Sequence, residues 1–152
     1  LTTILKNIIL LNRKEEENMT PNSIKVLIIE DDRYISKMFQ LKLSLDGMDV
    51  QVAENGHQGV EKTKEFKPDI VLLDLLMPEM DGYEVLEIIK GDEETKDIPV
   101  LIMSNLGQED HVQKAMQLGA LGYIVKSQYT PSNVSEKVKE VLGAKTEGKK
   151  ED

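Results

Sequence analysis

Cysteine is absent from the 152 residues, which excludes disulfides, thiolate nucleophiles, iron–sulfur sites and Cys-type zinc sites and suits a reducing cytoplasm. Tryptophan is absent too, and two Phe and four Tyr are a sparse aromatic supply. Base stacking is therefore poorly provided for, and a core has to be filled by Ile, Leu, Val and Met. Positive charge is in deficit: 19 Lys and Arg face 28 Asp and Glu, a net charge of −9 that repels nucleic-acid phosphates and anionic membrane surfaces. Direct nucleic-acid binding and membrane association are disfavoured, and no run approaches the ~20 apolar residues of a membrane span. The length is close to the ~150-residue prior for one domain, so a two-domain enzyme is not expected. Neither a P-loop nor a dinucleotide fingerprint is present.

Residues 1–23 differ in character from the rest of the chain. Leu1, Ile4, Leu5, Ile8 and Leu11 recur at helical spacing and Arg13–Glu17 are all charged, a pattern that fits an amphipathic helix but not a secretory signal. The residues Lys14–Asn18 have purine-rich codons that could spell a ribosome-binding site, which makes Met19 the expected natural start. On that reading 1–23 is an extension, disordered or upstream of the protein proper.

From Ile24 the chain alternates short branched apolar runs with longer stretches of helical spacing, the mark of repeated βα units. Strands are predicted at Lys25–Ile29, Asp49–Ala53, Ile70–Leu73, Val100–Met103 and Gly122–Val125. Most lack polar alternation, as strands covered on both faces should. Helices are predicted at Tyr34–Leu45, Gln58–Phe66, Tyr83–Lys90, Glu109–Leu118 and Ser132–Leu142. Gly47, Gly91 and Gly119 fall where helices should stop, Pro68 and Pro99 lie just before strands, and Thr130-Pro131 resembles a cap and first helical position. The domain is expected to span 24–143, with 144–152 a solvated, mobile tail.

Parallel strands bring their carboxyl ends to one edge, so the residues closing them meet. Here these are Glu30, Asp31 and Asp32, then Asp74, Ser104 and Lys126. Clustered carboxylates raise one another's pKa unless a cation sits among them; a hard divalent ion such as Mg²⁺ suits oxygen ligands and is commonly completed by phosphate oxygens. A hydroxyl and an ammonium opposite it would share a phosphoryl group's charge. Taken singly, each residue has a plainer role: Asp32 reads best as a helix cap, a lone Asp74 as a turn residue, a lone Lys126 as a surface charge. Their joint occurrence at four strand ends favours a phosphoryl-transfer site. His57 and His111 read as exposed, and Met77, Met80, Met103 and Met116 as core or loop fillers.

The motifs KVLIIEDD (Lys25–Asp32), DIVLLDLLMPEMDGYEVL (Asp69–Leu86), PVLIMSN (Pro99–Asn105) and GALGYIVKS (Gly119–Ser127) resemble the receiver domains of two-component response regulators. The resemblance covers roughly Ile24–Gly143. It implies an α/β doubly wound five-stranded parallel sheet, a flavodoxin-like (βα)₅ fold of strand order 2-1-3-4-5. It also implies Asp74 as phosphoacceptor, with Mg²⁺ bound by Glu30, Asp31, Asp74 and the backbone carbonyl of Leu76. Ser104 matches the switch hydroxyl, Lys126 the phosphate-binding lysine and Tyr123 the switching aromatic. The implied donor is a phosphohistidine of a sensor histidine kinase or histidine phosphotransfer protein. The implied target binds the face of the fourth helix, fifth strand and fifth helix in the cytoplasm, and the chain is not a turnover enzyme. Because no output domain follows Leu142, the chain is expected to act as an adaptor or relay intermediate.

Ser127 departs from the family's Pro after the lysine; a non-proline cis bond costs about 2.5–4 kcal/mol, which leaves a trans peptide and a differently shaped loop open. Leu76 and Leu106, both apolar, occupy positions that modulate lifetime in this family, so slow autodephosphorylation is expected. A haloacid-dehalogenase-type phosphatase would show D-x-D-x-T, whereas Asp74 is followed by Leu75 and Leu76. A phosphate-independent binding module of the same fold remains the other alternative.

Overall fold

Strands of Val, Ile and Leu on both faces need cover on both sides, and that requirement sets the architecture. The computed structural model describes residues 2–7 and 23–150, with 144–150 by backbone alone. Strands β1 (Lys25–Ile29), β2 (Asp49–Ala53), β3 (Ile70–Leu73), β4 (Val100–Ser104) and β5 (Gly122–Val125) form one parallel sheet of order β2-β1-β3-β4-β5. They alternate with helices α1 (Arg33–Leu45), α2 (Gly56–Phe66), α3 (Gly82–Gly91), α4 (Glu109–Gln117) and α5 (Pro131–Lys150). The fold class and strand order expected from the sequence are those observed.

Alternate side chains of each strand divide the core in two. Leu27, Ile29, Val71, Leu73 and Ile102 pack with Val85, Leu86 and Ile89 of α3 and Ala115 of α4. On the other face Val26, Ile28, Ile70, Leu72 and Leu101 pack with Phe39 and Leu43 of α1 and Val134 and Val138 of α5. Every residue of β3 and β4 is buried, whereas the outer strand β2 alternates exposed and covered positions.

Helix boundaries follow local chemistry. Asp32 caps α1, its carboxylate accepting from the Tyr34 and Ile35 amides at 2.9 and 3.2 Å. Thr130 and Asn133 cap α5 reciprocally, each side chain accepting from the other's amide at 3.1 Å. Gly47 and Gly119 stop helices in the left-handed conformation, at φ 88° and 105°. The helix α3 likewise ends at Gly91, which is its last residue, and Asp92 caps it. Asn55 caps α2 through the Gln58 amide at 2.9 Å, so that helix starts at Gly56, earlier than the predicted Gln58. The last helix runs on to Lys150, where the sequence predicts a mobile tail from 144. Ala144, Lys145, Glu147, Lys149 and Lys150 are strong helix formers and need no burial to continue it. Residues 2–7 are helical. Met19 lies outside the described residues.

Candidate functional site

The sheet register assembles the site. Ile29 pairs with Leu73, so Glu30 and Asp74 leave neighbouring strands side by side; the Asp74 amide donates to the Ile29 carbonyl and the Glu30 amide to the Ala53 carbonyl, each at 3.0 Å. Ser104 closes β4 opposite Val125, so Lys126 follows directly at the same edge. The turn after β3 is held tightly against α3: the Gly82 amide donates to the Leu75 carbonyl at 2.9 Å, and a Cβ on Gly82 would lie 2.2 Å from the Asp74 carbonyl oxygen. Only glycine fits there.

Glu30, Asp31 and Asp74 each offer a carboxylate oxygen within 4.8 Å of the others. Glu30 and Asp74 are 3% and 7% exposed, while Asp31 is open to solvent. Lys126 Nζ lies 3.2 Å from Asp74 Oδ2 and hydrogen-bonds Glu30 Oε1. One ammonium thus serves two buried acids and, among the described residues, leaves Glu30 Oε2 without a partner. Burial, reinforced by the Asp74 carboxylate and opposed by Lys126, pushes the Glu30 carboxyl up to about 8. A buried oxygen without a donor, beside two further hard oxygen ligands of which one is solvated, fits a Mg²⁺ ion that keeps part of its water shell.

Ser104 is fully buried, and its Oγ accepts from the Leu106 amide at 3.1 Å. The Tyr123 hydroxyl donates to the Leu106 carbonyl, and burial raises its pKa. Leu76 follows with its amide 3.4 Å from Asp74 Oδ1 and its side chain 58% exposed at the rim of the pocket. After Lys126 a 3₁₀ turn (Lys126–Gln128) occupies the Ser127 loop, every described peptide bond is trans, and Lys126 still reaches both acids.

Two features lie beyond the sequence-based expectations. Asn105 Oδ1 accepts from the Ser127 amide at 3.0 Å, tying the loop after β4 to the loop after β5. Its place next to Ser104 in a strand-end motif is the one signal that points to it. The second is His111, which reads as exposed in the sequence. It is half-buried and shares a 2.8 Å hydrogen bond with the Tyr83 hydroxyl. Sequence offers no signal for that pair, which lies on two helices.

Known proteins share this sequence pattern and this fold. A family model described as the response regulator receiver domain matches residues 26–139. The chain is 39% identical to the chemotaxis protein CheY of Treponema pallidum over 122 residues, covering 76% of this chain and 83% of that one. It is also 39% identical to CheY of Thermotoga maritima, covering 77% and 96%. The DNA-binding dual master transcriptional regulator RpaA of Synechocystis is 38% identical over 102 residues, covering 67% of this chain and 42% of that protein, so the chain spans less than half the length of that relative. Among solved structures, Vibrio cholerae chemotaxis protein CheY4 superposes with a TM-score of 0.74 at 25% identity, over 79% of this chain and 99% of that one.

Proposed function

Because the chain belongs to the response regulator receiver-domain family of two-component systems, we propose that it accepts a phosphoryl group on Asp74 and thereby switches its binding to a downstream protein. The donor is a phosphohistidine of a sensor histidine kinase or histidine phosphotransfer protein. A carboxylate oxygen of Asp74 attacks phosphorus in line, the phosphorus–nitrogen bond breaks, and its electron pair stays on the imidazole; the product is an acyl phosphate. Glu30, Asp31, Asp74 and the Leu76 carbonyl would hold Mg²⁺, which supplies neutralisation of the phosphoryl oxygens when bound. Lys126 takes a share of the same charge, and its position beside Asp74 costs nothing to rearrange at the moment of transfer.

The observation that carries this reading is the buried pair Glu30 and Asp74 sharing one ammonium, with one carboxylate oxygen left unsatisfied. An ordinary structural ion pair would satisfy its buried oxygens. Docking of a helical donor is supported by α1, which carries the exposed hydrophobics Tyr34, Met38, Leu41 and Leu45 on a stripe that begins beside the pocket. The downstream partner is assigned to the α4–β5–α5 face, where Ser104 and Tyr123 both reach the loop leading into α4.

The test is intact-mass measurement after incubation with acetyl phosphate and Mg²⁺. A single phosphoryl gain in the wild type and none in Asp74→Asn supports the reading. Labelling that survives Asp74→Asn overturns Asp74 as the acceptor, and no labelling of the wild type overturns the reading in favour of a phosphate-independent binding module.

A further inference from the structure

The weakest-anchored helix of the domain is α4. It spans nine residues, buries Ala115 alone, and has no side-chain hydrogen bond at its N-cap Gln108. What its packing lacks, two polar side chains supply. His111, in its first turn, shares the 2.8 Å hydrogen bond with Tyr83, and the two rings lie 19° from parallel with centroids 6.4 Å apart. One turn on, Lys114 Nζ sits 4.1 Å from the centre of the same Tyr83 ring, a cation–π contact. Tyr83 is anchored at its base, since it follows Gly82, whose amide is bonded to the Leu75 carbonyl and whose missing Cβ lets α3 press on the Asp74 backbone.

We infer that Tyr83, His111 and Lys114 form a latch that holds α4 in the arrangement in which Ser104 Oγ accepts from the Leu106 amide, and that the latch opens when Ser104 exchanges that bond for one to a phosphoryl group. Ser104 Oγ holds the Leu106 amide and Tyr123 holds the Leu106 carbonyl, so any movement of Ser104 toward Asp74 pulls the segment that leads into α4. His111 lies at the end of α4 nearest that segment. A hydrogen bond of this length is lost after a displacement of about 0.7 Å, so the latch responds to small shifts. The Tyr83 hydroxyl then becomes free on the α4 surface. Phosphoryl binding and latch opening are thus coupled, and by reciprocity whatever removes the latch must strengthen binding of the phosphoryl group.

This inference rests on the phosphoacceptor reading, and two readouts keep the two apart. The first is amide exchange of the full chain without ligand: Tyr83→Phe keeps the ring and the Lys114 contact but loses the hydroxyl, and α4 amides are expected to exchange about threefold to tenfold faster while β3 and β4 amides are unchanged. The second is affinity for beryllofluoride, a phosphoryl mimic, with Mg²⁺: Tyr83→Phe and His111→Leu are each expected to bind it about threefold to tenfold more tightly, and the double variant no more tightly than either single one. Unchanged α4 exchange in Tyr83→Phe overturns the latch. So does unchanged mimic affinity, or two effects that simply add. A wild type that binds no mimic overturns the phosphoacceptor reading instead, and the exchange measurement still decides whether the latch holds α4.

Discussion

At the amino edge of the sheet Asp69 accepts from the Lys25 amide at 2.8 Å and the Asp49 amide donates to the Ile24 carbonyl at 2.8 Å, so the strand starts are tied down by ordinary hydrogen bonds. At the carboxyl edge Glu30 keeps a buried oxygen unpartnered and two buried acids compete for Lys126. There too Glu79 is held at φ 69°, a left-handed conformation that costs a non-glycine residue about 1–2 kcal/mol. Between the two edges β3 and β4 are buried along their whole length. The hydrophobic interior therefore stabilises the sheet from end to end while one rim is left electrostatically unsatisfied, ready for ligands the chain does not contain.

Four measurements test that contrast. Lys126→Met should have the largest effect, lowering the rate of phosphorylation by acetyl phosphate about a hundredfold, in line with loss of one preorganised charge from such a site. A wild-type rate would show that the ammonium serves folding alone. Gly82→Ala forces a methyl group against the Asp74 carbonyl oxygen. It should destabilise the domain by about 1–3 kcal/mol in urea titration, and an unchanged midpoint would mean that the turn after β3 yields freely.

The third concerns pH. The folded-state pKa of Glu30 is raised from 4.5 to about 8, so its contribution to stability is fully present below the unfolded value and is lost as pH rises through about 8. In EDTA the wild type should therefore lose stability between about pH 5 and 8 relative to Glu30→Gln, and Mg²⁺ should restore it. Parallel pH profiles for the two proteins would remove Glu30 from the account. The smallest effect belongs to the amino edge: Asp69→Ala removes one hydrogen bond to the Lys25 amide. A cost of about 1 kcal/mol, independent of Mg²⁺, is expected from thermal unfolding. Dependence on Mg²⁺ there would erase the division between the edges.

Much of this is legible in the chain itself, for a physical reason. Strands buried on both faces must be written as uninterrupted Val, Ile and Leu, so KVLII and IVLL announce their places, and the residue after each run must stand at the rim. That is why Glu30, Asp74, Ser104 and Lys126 can be grouped from their order in the chain. Helix ends are less legible because several chemistries stop or start a helix equally well. Asn55 starts α2 ahead of its apolar pattern, and Lys67 ends it at φ 51° without a glycine. Least legible are contacts between separate elements. Nothing in the spacing of Tyr83 and His111 shows that they meet, and nothing in the residue type shows that Ser104 Oγ accepts from the Leu106 amide.

Among the described residues strand β2 pairs with β1 alone, so half of its peptide groups face outward, an arrangement that invites a strand from another molecule to dock and start a fibril. Lys62 Nζ donates to the Val52 carbonyl at 2.6 Å, and the exposed Asp49 and Gln51 place polar groups along the rest of that flank. The domain is thereby guarded against self-templated aggregation on the side of the sheet farthest from β5, and replacing Lys62 with an apolar residue would expose it to that hazard.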